Sequence, residues 1–144
     1  MAFQVLIGGA FTSKNIDTIG NNAGKIWTVL NQHQPEKTTT LMHKTNLNNR
    51  NFFEAVGWLA RENKINKEGL GYSIGTTNLT ESIGRNAGMV WTVLDIWEEV
   101  DVSSIARLTH LTLDDTYAAL GWLAKEEKID VVAIDDKQKY CLTK

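Results

Sequence analysis

Four consecutive side chains, Asn48-Asn49-Arg50-Asn51, carry the chemistry of base recognition. An Asn amide matches the major-groove edge of adenine, and an Arg fork matches that of guanine. Lys37, His43 and Lys44 lie just upstream and suit phosphate oxygens. The plainer alternative is that Asn48-Asn49 is only a polar helix start. A second segment, Thr112-Leu113-Asp114-Asp115, holds the corresponding place later in the chain. Its two carboxylates would repel phosphate, so any DNA contact is expected from the first segment alone.

No catalytic constellation accompanies these residues. His33, His43 and His110 have no Cys partners at zinc spacing. Ile19-Gly20 and Asn22-Ala23-Gly24 are not a phosphate-cradling glycine pattern, and no Gly-Lys-Ser/Thr follows. Neither a catalytic residue, a metal nor a cofactor is expected. One cysteine, Cys141, cannot form an internal disulfide, which suits a reducing cytoplasm. No apolar run approaches the roughly 20 residues of a membrane helix, and the first residues lack signal-peptide character.

The element order comes from a duplication. Ile19-Gly20-Asn21-Asn22-Ala23-Gly24-Lys25-Ile26-Trp27-Thr28-Val29-Leu30 returns as Ile83-Gly84-Arg85-Asn86-Ala87-Gly88-Met89-Val90-Trp91-Thr92-Val93-Leu94. Gly57-Trp58-Leu59-Ala60-Arg61-Glu62-Asn63-Lys64-Ile65 returns as Gly121-Trp122-Leu123-Ala124-Lys125-Glu126-Glu127-Lys128-Ile129 at the same offset. Two copies of one small unit follow, over residues 15–75 and 79–144, after an apolar strand or arm within residues 1–14 (Phe3–Phe11). Units of about 60–65 residues are marginal alone, so packing one copy on the other would help both.

Within each unit the apolar spacing predicts a first helix over Ile16–Gln32 and Glu81–Glu98. Short β-prone stretches follow, Lys37–Thr39 and Val100–Val102. Second helices are expected over Thr40–Thr45 and Ser104–Thr109, the latter capped by Ser103. After a tight break, third helices run to about Lys64 and Lys128, with Thr112 as a cap before Asp114 and Asp115. Hairpins close each unit, Ile65–Lys67 with Gly71–Gly75 and Ile129–Ile134 with Lys139–Thr143, the second being longer.

Helix, short strand, helix, break, helix and hairpin is the order of a winged helix-turn-helix. The motif Asn-Ala-Gly-x-Ile/Val-Trp-x-x-Leu, with Ala-x-Gly-Trp-Leu-Ala-Arg/Lys-Glu-x-Lys-Ile, resembles a small prokaryotic winged-helix family of uncharacterised function, of Bacteroidetes type. The resemblance covers nearly the whole chain. It implies an α+β fold, mainly α, of two tandem winged helix-turn-helix units. It brings no catalytic or ligand residues with it, and the tandem departs from the usual single-unit member.

Electrostatics divide the chain. Residues 1–75 hold eight Lys/Arg against five Asp/Glu, and residues 76–144 hold seven against twelve. The wings are weakly basic, with Lys67 in one and Lys137 and Lys139 beside Asp135 and Asp136 in the other. Phosphate neutralisation is the main source of DNA affinity, so this weakens a DNA reading. Taking Phe53, Val56, Gly57 and Ala60 as the inward face of the third helix, Trp58 falls opposite with Ala55 and Asn51 beside it. The second copy places Asp115, Ala119 and Trp122 there. Gly20, Ala23, Gly24 and Trp27 line one side of the first helix, as do Gly84, Ala87, Gly88 and Trp91. Glycine within a helix costs about 1 kcal/mol relative to alanine, so its recurrence suggests close approach of another group. Two functions remain open: a DNA-binding, transcriptional-regulator type of protein acting through the first unit, or a protein-protein interaction adaptor using the third helix and the small-residue face of the first. An intramolecular pseudo-dimer of the units, with Trp58 or Trp122 and the Gly24 and Gly88 faces buried between them, is expected in either case.

Overall fold

A computed structural model describes residues 8–134 and 137–144. The first unit comprises α1 (Gly8–Gln32), β1 (Glu36–Lys37), α2 (Thr38–Thr45), α3 (Asn49–Arg61), β2 (Ile65–Glu68) and β3 (Gly71–Ile74). The second opens on a π-helical turn, Thr80–Gly84. It continues with α4 (Arg85–Trp97), β4 (Val100–Asp101), α5 (Val102–Thr109), α6 (Leu113–Lys125), β5 (Ile129–Ile134) and β6 (Lys137–Leu142). Each unit folds a three-stranded antiparallel sheet in the same order, β1-β3-β2 and β4-β6-β5. The fold is α+β, mainly α, in two winged helix-turn-helix units.

Local chemistry sets the helix ends alike in both copies. Asn48 caps α3 by accepting from the Asn51 amide at 2.8 Å, and Thr112 caps α6 by accepting from the Asp115 amide at 3.1 Å. At the other end Asn63 and Glu127 turn left-handed, with φ of 62° and 60°. That turn returns the Lys64 amide to the Leu59 carbonyl and the Lys128 amide to the Leu123 carbonyl, each at 3.0 Å.

Several expectations need correction. Gly8–Phe11, expected in a strand or arm, belong to α1; Phe3–Ile7 lie outside the described residues. α1 thus begins eight residues before Ile16, and the helix packs against β5 of the second unit. Thr38, Thr39 and Val102 are helical rather than β. The cap of α5 is Asp101, whose carboxylate accepts from the Ser104 amide at 3.2 Å; Ser103 lies inside the helix. Lys137 and Gln138 are in β6, not the turn before it. Phe52, not Phe53, is the fully buried aromatic of α3.

Each core borrows from the other unit. Ile26, Leu30, Leu41, Phe52, Val56 and Leu59 form the first core, together with Ile83 and Ala118 from the second unit. Val90, Leu94, Ile105, Leu120, Leu123 and Tyr140 form the second, together with Ile19 from the first. Ile19 and Ile83 are equivalent positions in the repeat, so the exchange is reciprocal.

The two third helices form the seam. A Cβ on Gly57 would stand 1.8 Å from the Ala118 carbonyl oxygen, and one on Gly121 1.8 Å from the Glu54 carbonyl oxygen. Gly57 was expected to face its own core; it faces α6. Asn49 Nδ2 donates to Asp114 Oδ1 at 3.2 Å at the start of the pair, and Arg61 Nε to Glu126 Oε2 at 2.9 Å at the end. Start meets start and end meets end, so α3 and α6 lie parallel, backbone against backbone.

Candidate interaction grooves beside covered recognition helices

In a DNA-reading helix-turn-helix the third helix presents its outward face and N-terminal residues to the major groove. Here α6 covers much of that face of α3. Within Asn48–Asn51, the Asn48 side chain caps the helix and Asn49 donates to Asp114. Arg50 turns back to the carboxylate of Glu54 at 3.4 Å, and Asn51 is half-buried. Lys37 and His43 are exposed, and Lys44 pairs with Glu36. Lys37 precedes α2 and Lys44 lies in its last turn, whereas Asn49 at the α3 start meets Asp114. Burial, followed by the charges of Asp114 and Asp115, pushes the Tyr72 hydroxyl up to about 12. The acidic start of the second unit's helix is thus felt at the wing of the first.

The small-residue face of the first helix builds a different feature. Gly20, Ala23, Gly24 and Trp27 of α1 meet Trp58 and Leu59 of α3, with Glu62 and Lys64 at the edge, around an open groove of about 240 Å³. Gly84, Ala87, Gly88 and Trp91 meet Trp122, Leu123, Glu126 and Lys128 around another of about 300 Å³. All eight lining residues of one groove recur, type for type, in the other. From 15–65 against 79–129 only 19 of 51 positions match, and at 48–51 against 112–115 none does. Exposed Ile96, Trp97 and Leu108 have no such counterpart, since the first unit carries Gln32, His33 and Lys44 there.

Packing explains part of this identity. A Cβ on Gly20 would lie 2.9 Å from the Trp58 ring, and one on Gly84 3.3 Å from Trp122, so these glycines make room for indoles. Gly24 and Gly88 are different: among the described residues nothing lies within 4 Å of a Cβ at either. Trp27 and Trp91 remain 39% and 38% exposed. The expected burial of the Gly24 and Gly88 faces between the units is therefore corrected; both face outward. Trp58 and Trp122 are half-buried and pack against both cores. Ala55 and Ala119, expected on the interface, are fully buried in their own cores.

Sequence reasoning missed Glu62, Lys64, Glu126 and Lys128, although the second repeated motif contains them. It also missed Glu54, 1% exposed at the seam. Tyr140 of the other unit donates to it at 2.8 Å. Its only sequence mark is the contrast with Ala118.

Comparison with protein-family models decides the family. The model described as winged helix-turn-helix domain (DUF2582) matches twice, over residues 13–73 and 79–142. The chain belongs to this family. Curated proteins and solved structures give no match. Among the described residues of this winged-helix tandem, no helix is long and apolar enough to cross a membrane, and no group of three potential metal ligands occurs.

Proposed function

We propose that the chain is a non-enzymatic, cytoplasmic protein-interaction module whose binding surface is the pair of equivalent grooves. One observation carries this reading: the grooves are identical in all eight lining residues while the base-reading positions share none. Gly24 and Gly88 weaken their helices by about 1 kcal/mol each relative to alanine, yet a Cβ at either would meet none of the described residues. Half-exposed tryptophans over a glycine floor make a receptor for a protruding apolar side chain.

DNA binding, as a transcriptional-regulator type of protein, is the reading favoured by analogy with the winged-helix fold. It would rest on Lys37, His43, Lys44 and Asn48–Asn51, of which Lys44, Asn48, Asn49 and Arg50 have partners within the protein.

Two measurements on the intact chain separate the readings. Random peptides displayed on phage should be enriched by the wild-type chain and not by the groove-filled Gly24→Met/Gly88→Met variant. Mixed duplex DNA should be retained weakly at low salt, with no change on Arg50→Ala. Tight DNA binding abolished by combined replacement of Lys37, Lys44 and Arg50 would overturn the proposal.

A further inference from the structure

The first unit holds a peptide of its own. Beyond β3 the linker Thr76–Asn78 passes beside β2, and its polar groups are caught there. The Thr77 amide donates to Asn63 Oδ1 at 2.9 Å, and Asn66 Nδ2 donates to the Thr76 carbonyl at 3.0 Å. Asn78 pairs with both the amide and the carbonyl of Lys67, each at 2.9 Å. Asn63 and Asn66 thus work as a peptide clamp.

The second unit keeps the same scaffold with different chemistry. Glu127 and Asp130 stand where Asn63 and Asn66 stand in the repeat. Thr143 stands where Gly75 does: the Gly75 amide donates to the Lys64 carbonyl at 3.1 Å, and the Thr143 amide to the Lys128 carbonyl at 2.9 Å. Glu127, Asp130 and Thr143 line an open cleft of about 430 Å³, walled by Ile16 and Asp17 of α1 and by Trp58. Among the described residues the side chains of Asp17, Glu127 and Asp130 have no hydrogen-bond or ion-pair partner. The lining has one cation, Lys125, and it is engaged: its Nζ lies 3.6 Å from Glu62 and 5.3 Å from the Trp58 ring centroid.

We infer that this cleft receives a short segment of a partner protein, rich in arginine or lysine. The linker of the first unit is the template for the backbone. Glu127 preserves the acceptor that Asn63 offers to a backbone amide, and a charged acceptor binds such a donor more strongly. Asp130 inverts the other contact. Asn66 donates to a carbonyl, whereas a carboxylate only accepts, so the guest must bring a donor to that place. Three carboxylates against one engaged ammonium make that donor a cation. Its aliphatic stem would lie on Ile16 and Trp58 while the charged head reaches the acids. Glu127 also keeps the left-handed backbone of Asn63, with φ of 60° against 62°, a conformation that asparagine adopts more readily than glutamate. The glutamate is therefore not there for the turn. Trp58 also lines the first groove, but the cleft and that groove share no other residue, so the two sites are separable.

The probe is the capped peptide Gly-Arg-Arg-Asn-Leu-Thr, the linker sequence with both of its threonines before asparagine replaced by arginine. Binding to the intact chain is followed in the ¹⁵N–¹H NMR spectrum, which reads millimolar affinities and locates them. Saturable shifts are expected at Glu127–Asp130, at Thr143 and at the Trp58 indole. The same peptide with citrulline for arginine, which keeps shape and removes charge, should bind at least ~tenfold more weakly. Glu127→Asn/Asp130→Asn, which installs the residues of the first unit, should lose binding to the same degree. Gly24→Met should leave it unchanged, so the outcome here is independent of the groove reading. Absence of shifts at millimolar peptide, or equal binding of the citrulline version, would overturn the inference. So would spermidine binding as tightly with the same shifts, which would make the cleft a site for free polyamines. Loss of binding on Gly24→Met would move the peptide into the groove and overturn it as well.

Discussion

The hydroxyl of Tyr140 donates a 2.8 Å hydrogen bond to the carboxylate of Glu54, tying a wing strand of the second unit to α3 of the first. Burial raises the affinity of Glu54 for its proton, with Arg50 and the Tyr140 hydrogen bond opposing that in part. Burial likewise holds the Tyr140 hydroxyl well above its ordinary value, helped by the charge of Glu54. The seam is therefore held by a nearly dry polar contact whose state depends on pH.

The direction follows from linkage. A carboxyl that binds its proton more tightly when folded contributes stability that is fully present below its ordinary value of 4.5. That contribution is lost as pH rises through the raised value. Glu54→Gln keeps an acceptor for Tyr140 and cannot ionise. The stability of the wild type minus that of Glu54→Gln should therefore decline from pH 4.5 toward neutrality, as read by urea unfolding at stepped pH. A difference independent of pH would show that Glu54 titrates normally.

Two pairs of glycines should respond oppositely to the same substitution. Gly57→Ala and Gly121→Ala force a methyl onto backbone at the α3/α6 crossing and should cost several kcal/mol, on the scale of ~1–3 kcal/mol or more for overpacking. Gly24→Ala and Gly88→Ala meet open space and should stabilise by up to about 1 kcal/mol each through helix propensity. Thermal unfolding of the four single variants checks both signs. A destabilising Gly24→Ala would mean that its backbone is already in use within the fold.

The exchanged isoleucines predict damage at a distance along the chain. Ile19→Ala should loosen the second core, since Ile19 packs there with Val90, Leu120 and Leu123; Ile83→Ala should loosen the first. Each truncation of a buried Ile is expected to cost ~2–5 kcal/mol. Amide hydrogen exchange shows where it is felt: α6 and β5 should lose protection in Ile19→Ala, and α3 and β2 in Ile83→Ala. Loss confined to the mutated unit would contradict the exchange.

Much of the fold was legible because the chain states it twice. The order of elements, the Asn48 and Thr112 positions and the longer second hairpin all follow from repeat, spacing and capping chemistry. The errors share a cause in tertiary contact. Gly8 and Gly9 disfavour a helix by propensity, but α1 includes them, and the helix packs against β5 of the other unit. A helical wheel showed that α3 has two apolar sides. It could not say which belongs to its own unit, so Gly57 was turned the wrong way. The groove residues on α1 were legible as a small-residue stripe. Their partners on α3 were not, because Glu62 and Lys64 look like any solvated helix end until Lys125 arrives from the other unit. Glu54 left only its contrast with Ala118, since a buried carboxylate and a surface one are spelled alike.

The reciprocal borrowing between cores has a consequence for how such a molecule can change. A homodimer has one sequence and must complement itself, so every substitution appears on both sides of its axis. At position 54 that would place two buried carboxylates in one seam. Joined in one chain, the halves escape that constraint: Glu54 faces Tyr140 while its counterpart is Ala118, and Arg50 has Asp114 as its counterpart. Covalent fusion has let the seam divide its labour between unlike halves, while the grooves beside it have stayed the same.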